Sequence, residues 1–426
     1  MLYQGHNIEG GIMSTQVTGR AADINPKPEA LIARAKAMIP TLKERAARCE
    51  AERKIPADTI REMKEAGLFD VLKPRRWGGF EMEPRIFFEI QMALAEGCMS
   101  TAWIYGVIGV HPLQLGLFPL KAQEDVWSKD SSILISSSYQ PVGKVEHADG
   151  GFLLSGQWGF SSGCDHCDWV FLGAIVPPGP NGGTPEYRTF LLPRSDYKIL
   201  DTWHTFGLKG TGSQDIKVDR AFVPEHRTHR AIDGYLCRNP GQAENTGDIF
   251  KLPWAQVFTR AVSTAAIGAT QASLDAFLEI AKTRVSTNTG QATKADPFAL
   301  NAAARTASEI DQLRTTLFRN FDTMMEAVRT GREITVPDRL FYKYQSSQVA
   351  RRCADLVDEL VDHRAAVLRP LDKRSQSLRR VVELNEIAGH CHAAFSHMDL
   401  WARGEGDSIH RKGRLGEKRL RGSRAV

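Results

Sequence analysis

The spacing of apolar residues changes twice along this chain, and each change redirects what the backbone can form. Up to about residue 130, apolar side chains recur at three- and four-residue steps: Leu31, Ile32, Ala35, Met38, Ile39 and Leu42 in residues 29–50, then Ile86, Phe87, Ile90 and Leu94 in residues 83–97. Further helices are predicted at 57–67, closed by Gly67, at 99–117 and at 119–128. At Ser131 the period falls to two. Segments 133–138, 143–148, 151–160, 168–176, 187–193 and 213–223 are rich in Val, Ile, Phe and Trp, and turns such as Ala148-Asp149-Gly150-Gly151 separate them. From about 252 the helical period returns, in segments near 252–285, 296–330, 336–368 and 376–400. A chain ordered this way cannot be a doubly wound sheet, which needs helices between its strands.

The predicted class is therefore α+β. Residues 1–27 read as a flexible arm, 28–130 as a helical domain, 131–227 as a small β-sandwich or barrel, 228–250 as a polar loop, 251–400 as a four-helix bundle and 401–426 as a basic tail. Met13 reads as a more natural start than Met1. Ala261, Ala265, Gly268 and Ala269 form a stripe of small residues that lets another helix come close.

Charge and cysteine usage exclude several function classes. The tail from Trp401 to Val426 holds eight basic and three acidic residues, an excess of five that equals the net charge of all 426 residues. The remaining body is neutral, so it offers no basic face for nucleic acid, and the tail reads as a solvated extension. Seven scattered cysteines imply no disulfide framework. No run is apolar enough to span a bilayer, and no leader pattern opens the chain, so a cytoplasmic protein is expected.

Four short motifs carry chemistry. They are Gly97-Cys98-Met99-Ser100-Thr101-Ala102-Trp103, Ser136-Ser137-Ser138-Tyr139-Gln140-Pro141, Trp158-Gly159-Phe160-Ser161-Ser162-Gly163-Cys164-Asp165-His166 and Gly207-Leu208-Lys209-Gly210-Thr211-Gly212-Ser213. The last lies between β segments rather than between a strand and a helix, which excludes a Rossmann nicotinamide site. Cys164 and Cys167 form a CxxC without the second pair of a zinc ribbon, and read as strand-end cysteines. His390, His392 and His397 do not share one helical face, so no metal is expected there. His111, in Ile108-Gly109-Val110-His111-Pro112, lies in an apolar region where a histidine is ordinarily a satisfied core residue.

Taken together, these motifs resemble the acyl-CoA dehydrogenase fold and, within it, the oxygenase components of two-component flavin-dependent monooxygenases, such as the p-hydroxyphenylacetate 3-hydroxylases and the hydroxylated seco-steroid monooxygenases. The resemblance covers about residues 30–400. It implies an enzyme that takes reduced flavin (FMNH2 or FADH2) and O2, forms a flavin C4a-hydroperoxide and hydroxylates a small phenolic or related aromatic substrate, usually ortho to the hydroxyl. It implies no metal, a separate NAD(P)H:flavin reductase and a homotetramer. By the same resemblance Ser162 meets flavin N5, and His111 binds the substrate phenol and shares its proton, through an imidazole with a pKa near neutrality. His392 reaches the site from the last helix, with His390 as the fallback. Trp103 and Ser137 line flavin and substrate. Ser138, Trp158, Ser161, Thr211 and Ser213 contact flavin. Two other activities are compatible with the fold: a sulfur- or nitrogen-oxidising monooxygenase, and a true acyl-CoA dehydrogenase, whose base would have to come from a region where Asp372 is the only acid.

Overall fold

The computed structural model describes residues 26–180, 182–285, 290 and 292–365, the last four of these in backbone only. The segment 376–400 with His390 and His392, the tail 401–426, Asp372 and nearly all of the N-terminal arm lie outside the described residues.

Seven helices come first: α1 (Pro28–Ala37), α2 (Ile39–Glu52), α3 (Ala57–Glu65), α4 (Pro84–Gly97), α5 (Met99–Gly109), α6 (His111–Leu115) and α7 (Leu120–Trp127). Proline opens α1 and α4 at the position where a helix needs no N–H. The single helix expected over 99–117 is two. Pro112 lacks the N–H that would bond Ile108 O, and its ring crowds that carbonyl, so the chain breaks at Val110 and restarts with His111 at a corner.

The strands are β1 (Ile135–Ala148), β2 (Gly151–Ser161), β3 (Trp169–Val176), β4 (Glu186–Pro193), β5 (Lys198–Leu200), β6 (Gln214–Pro224) and β7 (Thr228–Arg230), in sheet order β5-β6-β2-β1-β3-β4-β7. The two strands expected at 133–138 and 143–148 are one. Its first half, Ile135 to Gly143, runs parallel to β3, and its second half, Lys144 to Ala148, pairs antiparallel with β2. The register shifts between Ser138 and Gly143, where Pro141 has no N–H for a ladder. One strand thus serves two layers, which close over a shared core of Leu154, Trp158, Leu172, Phe190 and Ile216. Phe152 of β2 and Phe190 of β4 meet edge to face across it, ring centroids 5.7 Å apart.

Helix α8 (Ala231–Leu236) leads into α9 (Trp254–Ala261), α10 (Ala265–Thr283), α11 (Pro297–Arg329) and α12 (Val336–Ala365). Asp296 caps α11 by accepting from Phe298 N at 3.0 Å. The helix expected over 252–285 is interrupted at 262–264, where the hydroxyls of Ser263 and Thr264 both donate to Arg260 O. The small-residue stripe acts as its spacing predicts. A Cβ on Gly268 would lie 2.1 Å from Met92 O of α4, so only glycine permits this approach of α10 to the N-terminal helices. Among the described residues, no helix is long and apolar enough to cross a membrane.

Candidate active site

The first half of β1 is the spine of the site. Successive strand residues point to opposite faces, so Ser136 and Ser138 share one face while Ser137 and Tyr139 share the other. On the first face hydroxyls are consumed within the sheet. Ser161 Oγ donates to Ser136 Oγ at 3.2 Å and Ser138 Oγ to Gly159 O at 2.7 Å, with all three serines buried. Ser138 and Ser161, expected to contact flavin, therefore hold β1 to β2. Trp158 is deeper still. It is fully buried, and its indole N–H donates to Gly173 O at 2.8 Å and Gln140 O at 3.1 Å.

On the second face lies an aromatic corner. Tyr139 packs edge-on against Phe258 of α9, centroids 5.0 Å apart, and its hydroxyl donates to Gln114 Oε1. Burial pushes its pKa well above the ordinary phenol value. The ring of His111 lies 6.4 Å from that of Tyr139 and 5.5 Å from that of Phe171, edge-on to both. His111 is 0% exposed, and its Nδ1 lies 2.5 Å from Ile135 O. A carbonyl only accepts, so Nδ1 carries the hydrogen and Nε2 is left as a bare lone pair. That lone pair has no hydrogen-bond partner. Burial holds the imidazole neutral, its pKa pushed down to about 4, against the near-neutral value the resemblance implied. His111 is thus an acceptor waiting for a donor, rather than a base poised at physiological pH.

Beside the spine stands a row of hydroxyls. β2 ends at Ser161, next to Ser162, and the loop before β6 brings Thr211 and Ser213 to it. Ser162 Oγ lies 2.7 Å from Ser213 Oγ, which lies 2.7 Å from Thr211 Oγ1; Trp103 Nε1 donates to Ser162 Oγ at 3.3 Å. Gly212, at φ +49°, turns the backbone so that its two neighbours both reach the row. Phe160 (φ +63°) and Leu208 (φ +54°) hold the same left-handed conformation without being glycine, a strain of order 1 kcal/mol each that clusters at functional sites. The loop is tied down from behind. Gln214 Oε1 accepts from Thr202 N and Trp203 N, and Arg53 clasps Asp201 with both guanidinium nitrogens at 2.6 and 2.8 Å.

The structure thus brings Trp103, Ser162, Thr211 and Ser213 together, and His111 with Tyr139, two residues along β1 from Ser137, while Ser138, Trp158 and Ser161 sit inside the sheet. Sequence reasoning missed Tyr139 and Gln114. Both had a signal: Tyr139 is two residues after Ser137 on the same strand face, and Gln114 is three after His111 on one short helix. Arg260, two residues beyond Phe258, is buried with Nη2 unpaired, and burial beside the like charge of Arg319 brings its pKa down to about 10. Among the described residues, no three His, Cys, Asp or Glu side chains are placed to hold a metal. Cys164 and Cys167 are buried free thiols at the end of β2.

Comparison with known proteins matches both helical parts of this fold. Residues 29–123 match the acyl-CoA dehydrogenase N-terminal domain, and residues 261–366 the acyl-CoA dehydrogenase C-terminal domain. The chain is 36% identical over 333 residues to the flavin-dependent monooxygenase, oxygenase subunit HsaA, of Rhodococcus jostii, covering 78% of this chain and 86% of that one. It is 29% identical to the p-hydroxyphenylacetate 3-hydroxylase, oxygenase component, of Acinetobacter baumannii, over 76% of each chain. The crystal structure of the HsaA monooxygenase from M. tuberculosis superimposes with a TM-score of 0.79 at 32% identity, covering 87% of this chain and 93% of that one.

Proposed function

Because this chain belongs to the flavin-dependent monooxygenases of the acyl-CoA dehydrogenase fold, as an oxygenase component acting on an aromatic substrate with reduced flavin, we propose that it hydroxylates a phenol ortho to its hydroxyl. In this reading the reduced flavin comes from a separate NAD(P)H:flavin reductase, and the enzyme works as a homotetramer. The observation that carries the substrate class is the buried, unpartnered Nε2 of neutral His111. A buried acceptor without a donor costs about 1–3 kcal/mol, and a phenolic hydroxyl removes that cost on binding.

The residues present fit a flavin. Reduced isoalloxazine has N–H donors along one edge, and Ser162, half-buried at the end of β2, presents an oxygen to them from a tightly held loop. Bound reduced flavin supplies the electrons with which O2 is activated to deliver one oxygen atom. Everything else falls to side chains. His111 Nε2 accepts the hydrogen bond of the substrate hydroxyl and orients the ring. Its own pKa, about 4, is far below that of a phenol, so it shares the proton rather than removing it, and this sharing raises electron density at the ortho carbon. Phe171 and Tyr139 pack against the imidazole, and Phe258 packs against Tyr139, an apolar surround that excludes water.

The test is to bind photoreduced FMN or FAD anaerobically, mix with oxygenated buffer, and measure hydroxylated product and hydrogen peroxide across a panel of phenols. At least one phenol should gain an oxygen beside its hydroxyl while peroxide falls. Release of peroxide alone with every phenol would overturn the proposal.

A further inference from the structure

The row of hydroxyls at Ser162 has fixed ends, and fixed ends decide the direction of every hydrogen between them. Trp103 Nε1 can only donate, and it donates to Ser162 Oγ. At the other end Leu208 O can only accept, and it accepts from Thr211 Oγ1 at 2.9 Å. Each hydroxyl owns one hydrogen. That of Thr211 is spent on Leu208, so the contact between Thr211 and Ser213 is donated by Ser213; the hydrogen of Ser213 is then spent, so its contact with Ser162 is donated by Ser162. The sequence of donors is Trp103, Ser162, Ser213, Thr211, and it ends on a backbone carbonyl. Thr211 and Ser213 are 1% and 3% exposed, so bulk water does not compete to turn them round. Ser162 is the half-buried member, the one that reaches the open side.

We infer that Thr211 and Ser213 are positioning residues that commit the Ser162 hydrogen inward, leave its oxygen as an acceptor toward flavin N5, and so make the site select reduced over oxidised flavin. This rests on the proposed contact between Ser162 and flavin. Reduced flavin carries a hydrogen on N5, whereas oxidised flavin presents a bare lone pair there. An acceptor held in place satisfies the first and repels the second. For an enzyme loaded with reduced flavin from elsewhere, that preference favours capture of the working form and release of the spent one. The left-handed Leu208 and Gly212 fit the same purpose, because they fold the loop so that a carbonyl terminates the row.

Thr211→Val keeps the shape but removes the link that fixes the direction, so Ser213 and then Ser162 are free to reverse. Thr211→Ser keeps the link, and Ser213→Ala removes the acceptor of Ser162 altogether. Equilibrium dissociation constants of oxidised and photoreduced FMN would be measured anaerobically on the full-length protein, alongside circular dichroism for folding. The native protein should favour reduced FMN. Thr211→Val and Ser213→Ala should each lower that ratio of constants by about tenfold, the worth of one hydrogen bond, with Thr211→Ser near native. An unchanged ratio in folded Thr211→Val and Ser213→Ala overturns the inference, as does a native protein that binds both forms equally. Failure of the native protein to bind either form would instead overturn the flavin reading beneath it.

Discussion

Adjacent residues of β1 anchor two buried polar groups of opposite character. At Ile135 the imidazole of His111 is held by one bond and keeps an acceptor with no partner. At Ser136 the sheet ties down Ser161, and beyond it the hydroxyls of Ser162, Ser213 and Thr211 have every hydrogen assigned. A closed network positions and stiffens, because no member can turn without breaking another bond. An open acceptor does the reverse: it costs stability in the empty protein, and a ligand with a donor recovers that cost. On the proposed function, the difference separates a cofactor's seat, which has to be the same on each turnover, from a substrate's, which has to be vacated.

The most severe test of that division is His111→Asn. Asparagine places an amide N–H where Nδ1–H was, so the bond to Ile135 O survives while the Nε2 acceptor disappears. Hydroxylated product per flavin oxidised should fall by about 5- to 100-fold, the worth of the hydrogen bond of about 1–3 kcal/mol that the substrate hydroxyl makes to Nε2. Affinity for reduced FMN should stay near native. A variant that loses flavin affinity and keeps coupling would reverse the two assignments.

The open acceptor should also appear in the pH dependence of stability. An unfolded histidine takes up a proton near pH 6.5, whereas buried His111 resists until about pH 4. Between those values the unfolded chain binds more protons, so the contribution of His111 is complete above pH 6.5 and is lost as the pH falls toward 4. Between pH 7 and pH 5 it amounts to about 2 kcal/mol. Burial lowers the pKa of His166 and His229 in the same direction, so total acid sensitivity is shared. The difference between native protein and His111→Asn in urea unfolding at the two pH values isolates one share, and equal acid sensitivity in both would show that His111 is not held neutral by burial.

How much of this could be read in the sequence follows from where local rules hold. The order of helices, strands and helices was legible because apolar period survives any tertiary detail, and the glycine-punctuated Gly207–Ser213 stretch announced a tight loop bearing hydroxyls. The break at Pro112 was missed, because apolar period runs unbroken through 99–117, past the proline; the structure instead ends one helix at Gly109 and starts the next at His111. Trp158 shows why the rest was hidden. It is four residues before Ser162, which by strict alternation puts both on one face. The register shifts between Trp158 and Ser161, where Phe160 is left-handed, and the shift separates the tryptophan from the serine.

That separation gives the smallest and most discriminating prediction. Trp158→Phe removes the N–H that serves Gln140 O and Gly173 O, and leaves a small void beside Gly143, where a Cβ would already be only 2.5 Å from the indole. One buried and one part-buried carbonyl lose a donor, so the loss of stability in urea unfolding should be about 1–2 kcal/mol. If Trp158 serves only the β core, the ratio of affinities for reduced and oxidised FMN stays native, because the row from Trp103 to Leu208 is untouched. A shifted ratio would mean that the bulge transmits strain from the core to Ser162, and the closed network would then be only as rigid as the sheet behind it.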